Sequence, residues 1–155
     1  MNIQPVLLKQ RGMAVIEFTL VLPLLLLLML GAAELGHAFY QYNTLTKAVR
    51  DGTRYLSANA LLGSTGVISI SNLLRTNAIN LVIYGKTTSS DTPLISDFTD
   101  TNAVTITTVN LDHIRVMAAY NYVPMLFPTS LPTFGIGEPI SLDFTLNASV
   151  TMRAL

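Results

Sequence analysis

The 155-residue sequence contains no cysteine. That excludes a disulfide framework, a thiolate metal site and a cysteine nucleophile, so any folded domain must be held by its core alone. Charge is also scarce. Only 12% of residues are charged, well below the roughly 25% usual for a soluble domain, and the formal net charge is zero. Overall charge therefore gives no case for a nucleic-acid partner. Histidine occurs twice, as His37 and His113, and neither belongs to a metal-ligand or triad-like spacing. Serine and aspartate are plentiful but form no nucleophile elbow or phosphate loop. The expectation is a protein that is not an enzyme and needs no cofactor.

What the chain has instead is a long apolar run. It extends from Thr19 to Ala33 and is dominated by leucine, with an unbroken block from Leu24 to Leu28. About 20 apolar residues rising about 1.5 Å each cover a hydrocarbon core of about 30 Å, so with its flanks the segment is long enough to span a lipid bilayer. Lys9 and Arg11 precede the run with no opposing acid, which places that end in the cytoplasm and the remainder outside. A secretory signal peptide is the competing reading, with cleavage after Ala38. Against it, the apolar segment is long for an h-region and holds Glu17, and Glu34 lies close to the cleavage site it would need.

Glu17 stands out, because a carboxylate deep in a bilayer costs about 2.5–3.5 kcal/mol on insertion scales. Either it reaches the headgroups from the helix end, or it pairs with a positive charge on a neighbouring copy. Pro23 removes one backbone hydrogen bond, so the helix either absorbs the loss locally or bends there.

The helix is expected to continue to about Asn59. Leu35, Phe39, Tyr42, Leu45, Val49, Gly52 and Leu56 recur at three- and four-residue steps, and Phe39 and Tyr42 are expected in the core. Gly31, Ala32, Ala33 and Gly36 would permit close helix approach. Gly63-Ser64-Thr65-Gly66 reads as a turn. Ser71 caps a second helix over Asn72 to Tyr84, stopped by Gly85. Residues 86–102 read as a solvated polar loop whose acids, Asp91, Asp97 and Asp100, do not fit a calcium-loop pattern.

The remainder alternates as strands do. Val104 to Thr107 and Ile114 to Tyr122 form a hairpin around Asn110-Leu111-Asp112. In the last strand, Leu142, Phe144, Leu146, Ala148, Val150 and Met152 face one way, and Ser141, Asp143, Thr145, Asn147, Ser149, Thr151 and Arg153 the other. Between them, the connection from Pro124 to Pro139 carries Pro128, Pro132, Gly135, Gly137, Met125, Leu126, Phe127, Leu131, Phe134 and Ile136. It reads as a flap over the core or as a contact surface for another subunit or the membrane. The fold class is thus α+β: a long N-terminal transmembrane and amphipathic helix, a second short helix, and a three-stranded antiparallel sheet.

Arg11-Gly12-x-Ala14-Val15-x-Glu17-Phe18, with Leu22-Pro23-Leu24-Leu25, Glu34-Leu35-Gly36-x-Ala38-Phe39 and Ala48-x-Arg50-x-Gly52-x-Arg54-Tyr55, resembles the TadE-like minor pseudopilins of tight-adherence (Tad) pili. The resemblance covers about residues 10 to 58. It implies a leader of residues 1–12, removed after Gly12 by a prepilin peptidase, and a new, often methylated, amino terminus at Met13. It further implies a membrane helix over 13–35 and an extracytoplasmic helix with a small α+β domain over 36–155. Glu17, with Phe18, would serve subunit assembly by stabilising the free amine of an adjacent subunit. Pro23 would mark the helix bend. Partners would be the peptidase, other pilin and pseudopilin subunits, the inner-membrane assembly platform and the lipid bilayer. The lack of cysteine departs from the many type IV major pilins that staple a C-terminal loop. The alternative is a permanent single-pass membrane scaffold or a periplasmic binding protein of the assembly machine, which needs neither Gly12 nor Glu17.

Overall fold

A computed structural model describes residues 7–61, 66–127, 129–133 and 137–155, and side chains from Gly12 onward. Residues 1–6, Leu62 with the turn residues Gly63, Ser64 and Thr65, and Pro128, Phe134, Gly135 and Ile136 lie outside the described residues.

One 53-residue helix, α1 (Leu7–Asn59), organises the chain and runs unbroken through Pro23. At about 1.5 Å per residue it is a rod of about 80 Å. Its N-terminal stretch projects free of the rest. It is long and apolar enough to cross a membrane, and its most apolar window buries nothing against the protein, which fits a single-pass membrane protein. Its C-terminal half packs on a small α+β head.

The second helix, α2 (Asn72–Tyr84), has the ends the sequence predicts. The Ser71 hydroxyl accepts a hydrogen bond from the Leu74 N–H, and Gly85, at φ 70°, donates its N–H to Leu81. A left-handed residue there favours glycine. The two helices approach closely at Gly52, where an added Cβ would lie 2.7 Å from Val82 Cγ2 and 3.2 Å from the Ala78 carbonyl.

The main sheet contains β1 (Val104–Val109), β2 (His113–Asn121) and β5 (Thr145–Arg153), all antiparallel, with β2 in the centre. Asn110, at φ 60°, turns β1 into β2, so the expected hairpin is present. Along β2, Ile114, Val116, Ala118 and Tyr120 are buried, and Tyr122 follows on the same face just past the strand. They meet Leu45, Val49 and Leu56 of α1 and Ala78, Val82 and Ile83 of α2. Fully burying an aliphatic side chain of this size contributes about 1.5–3 kcal/mol, and a contiguous core of such residues does the work that no disulfide can do here.

Four expectations need correction. Phe39 and Tyr42, with Leu35, are exposed rather than in the core. A helix turns about 100° per residue, so Leu35 and Phe39 lie about 80–120° round the axis from Leu45, whereas Glu34 and Ala38 lie within about 20° of it. The buried face therefore takes Glu34 and Gln41. Next, the segment 86–102 is not wholly solvated. It sends Ile95 and Phe98 into the core, where Phe98 meets Tyr120 edge-on at 5.5 Å. The last strand begins at Thr145, not Ser141. Phe144 is part-exposed, and Leu142 is buried away from the main ladder. Finally, β3 (Ser130–Leu131) and β4 (Ile140–Ser141) form a small separate sheet within the proline-rich connection. Two-residue strands leave too short an alternation to read from a sequence.

Candidate functional site

Two carboxylates mark the membrane-proximal part of α1. The first lies near its N-terminal end. Gly12 has open space around its Cα, Met13 is 69% exposed, and Phe18 is 59% exposed. Glu17 is exposed and makes no ion pair among the described residues. Gly12, Met13, Glu17 and Phe18 thus share one open stretch of helix. At Pro23 the helix has no N–H to give the Thr19 carbonyl, and the Thr19 hydroxyl turns back to the Val15 carbonyl at 2.8 Å. Gly31 and Gly36 likewise face open space, consistent with room for a neighbouring helix.

The second carboxylate, Glu34, is 2% exposed and hydrogen-bonded on both oxygens. The Met125 N–H donates to one at 2.9 Å and the Leu126 N–H to the other at 3.1 Å. The Tyr122 hydroxyl donates to it as well. Behind the tyrosine, His37 Nδ1 lies 3.3 Å from the Tyr122 oxygen, and Gln41 Nε2 lies 3.3 Å from His37 Nε2. One arrangement of protons links the row, leaving the buried Gln41 Oε1 without a partner among the described residues. In it Gln41 donates to Nε2, the His37 ring donates from Nδ1 to the tyrosine oxygen, and the tyrosine donates to Glu34. Burial, then the adjoining Glu34 carboxylate, push the Tyr122 phenol well above its ordinary pKa, so it stays protonated as a donor. Tyr122 also stacks on Phe144 with ring centroids 4.7 Å apart.

This polar row ties the apolar helix to the loop after β2, and it has no counterpart among the residues singled out by sequence. The signal was present: Glu34 is the second carboxylate bordering the apolar run, and the cost argument applied to Glu17 applies to it equally. His113 sits at the other end of the head, with Nδ1 2.6 Å from Asp112, which also meets Arg153 at 3.3 Å. The pairs are well exposed and contribute little.

Residues 12–54 match the family model of TadE-like proteins. This segment is TadE-like. The match starts at Gly12 and takes in Glu17, Phe18, Pro23, Glu34, His37 and Gln41, while Tyr122, Met125 and Leu126 lie beyond it. It supports a TadE-like protein of the Tad pilus system. Neither the curated proteins nor the solved structures gave a match.

Proposed function

We propose that the protein is a minor pilin or pseudopilin, a structural subunit for assembly of a Tad pilus. In this reading a prepilin peptidase removes residues 1–12. The helix over 13–35 is stored in the inner membrane with its N-terminus cytoplasmic, and 36–155 forms the periplasmic head. The observation that carries the reading is Glu17: an exposed carboxylate with no ion-pair partner among the described residues, five positions past Gly12, on a helix long and apolar enough for a bilayer. Such a group calls for a partner from outside the chain, and the amine freed at Met13 of a neighbouring subunit supplies a compact positive charge. Pro23 would let helices adjust as they pack.

The test is the intact mass and N-terminal sequence of protein isolated from its own host's membranes. A start at Met13, with or without a methyl group, supports processing. An uncleaved chain points to a permanent membrane scaffold, and a start at Phe39 to a secreted soluble protein.

A further inference from the structure

From Phe18 to Thr46, helix α1 exposes no full charge. Glu34 is the one acid in that stretch and it is buried, and Lys47 is the first exposed charge beyond it. These 29 residues rise about 44 Å, close to the about 40–45 Å of a bilayer with its headgroups. Counted from Phe18, about 30 Å of hydrocarbon ends near Ala38. Phe39, Tyr40 and Tyr42 stand just past that boundary, exposed by 65%, 68% and 42%. Aromatic rings are favoured at that depth.

The loop after β2 reaches the same level. Met125 and Leu126 are 62% and 41% exposed, yet their N–H groups are held by Glu34, one turn before the boundary. Pairing these two N–H groups with Glu34 removes part of the cost of carrying an irregular backbone down to headgroup level. An apolar groove lined by Leu35, Ala38, Phe39, Tyr42, Phe144 and Leu146 continues the same surface.

We propose that the head rests on the outer surface of the bilayer, with Met125, Leu126, Phe39 and Tyr40 inserted among the headgroups and Glu34 holding the loop at that depth. The inference depends on α1 spanning the membrane, and its test separates the two. The chain has no tryptophan, so single-tryptophan variants report position without background. The full chain is placed in vesicles of phosphatidylethanolamine and phosphatidylglycerol carrying spin-labelled lipid, labelled either at the headgroup or deep in the acyl chain. Leu26→Trp reports the span. Met125→Trp reports the loop. Leu111→Trp reports the far end: Leu111 is 90% exposed, in a turn whose neighbour Asp112 accepts from Ala154, while Leu155 donates to Ser57. Ser57 lies about 35 Å along α1 from Glu34.

The expected result is deep-label quenching at Leu26→Trp, headgroup-label quenching with blue-shifted emission at Met125→Trp, and neither at Leu111→Trp. Adding Glu34→Ala should cut the Met125→Trp quenching severalfold. Quenching at Leu26→Trp while Met125→Trp behaves like Leu111→Trp overturns the docking and leaves the span standing. Unquenched Leu26→Trp overturns the span and the docking together. A blue shift at Met125→Trp that escapes lipid quenching and grows with protein density overturns it in favour of a second copy on this face.

Discussion

Glu17 and Glu34 lie on one helix, about 26 Å apart along its axis, and border the same apolar run. Glu17 is exposed with no ion-pair partner among the described residues, whereas Glu34 is buried beneath a tyrosine hydroxyl and two backbone N–H groups. A carboxylate in an apolar setting must be neutralised or hydrogen-bonded, and the described residues do that for Glu34 and not for Glu17. Similar sequence context thus conceals different surroundings: Glu34 joins parts of one molecule, and the proposed role of Glu17 lies with a second one.

The largest expected effect removes the reason for Glu17's availability. Gly12→Leu should leave the leader attached, read as an intact mass that retains residues 1–12. Normal processing of that variant would break the contrast, since no new amine at Met13 would then depend on Gly12. Glu17→Ala should be cleaved and folded normally yet fail to support pilus assembly, counted by electron microscopy. Unchanged piliation would remove its intermolecular role.

Glu34→Ala should show the reverse pattern: normal cleavage, but a head destabilised by about 3 kcal/mol, because two N–H groups and a phenol lose their acceptor. Denaturant unfolding in detergent reads this directly. Tyr122→Phe is the smallest of the set, at about 1 kcal/mol for one lost donor near neutral pH. Its pH dependence has a definite sign. The folded state raises the phenol's pKa, so its contribution is complete below the ordinary tyrosine value of about 10 and fades as pH climbs toward the higher folded value. The stability gap between wild type and Tyr122→Phe should therefore narrow as pH rises above about 10, and a gap unchanged across alkaline pH would show that folding does not raise the phenol's pKa.

Much of the architecture was legible because its signals are local. Ser71 and Gly85 bracket α2, Asn110 turns the hairpin, and the alternation from Ile114 to Tyr122 marks the buried face of β2. What escaped depends on phase and partner. The seven apolar positions from Leu35 to Leu56 repeat at about 3.5 residues, and such a stripe drifts about 20° per heptad around a helix of 3.6. Its upper half therefore meets the sheet while Leu35 and Phe39 swing away. Ile95 and Phe98 sit among polar neighbours with no period to announce them; they join the core beside Tyr120, whose ring meets Phe98 and whose hydroxyl donates to the Ser96 carbonyl. At the site, Gly12, Met13, Glu17, Phe18 and Pro23 stand in a motif readable along the chain. Glu34's partners lie about 90 residues away, a distance no local pattern spans.

Because α1 runs from Leu7 to Asn59 without interruption, it works as a gear between membrane and head. One residue inserted between Glu17 and Glu34 would turn the head's heading by about 100° and lift it about 1.5 Å. Four would return it within about 40° of the original heading, but about 6 Å higher. The spacing of the two carboxylates thus sets both the compass bearing and the height at which the head meets its neighbours.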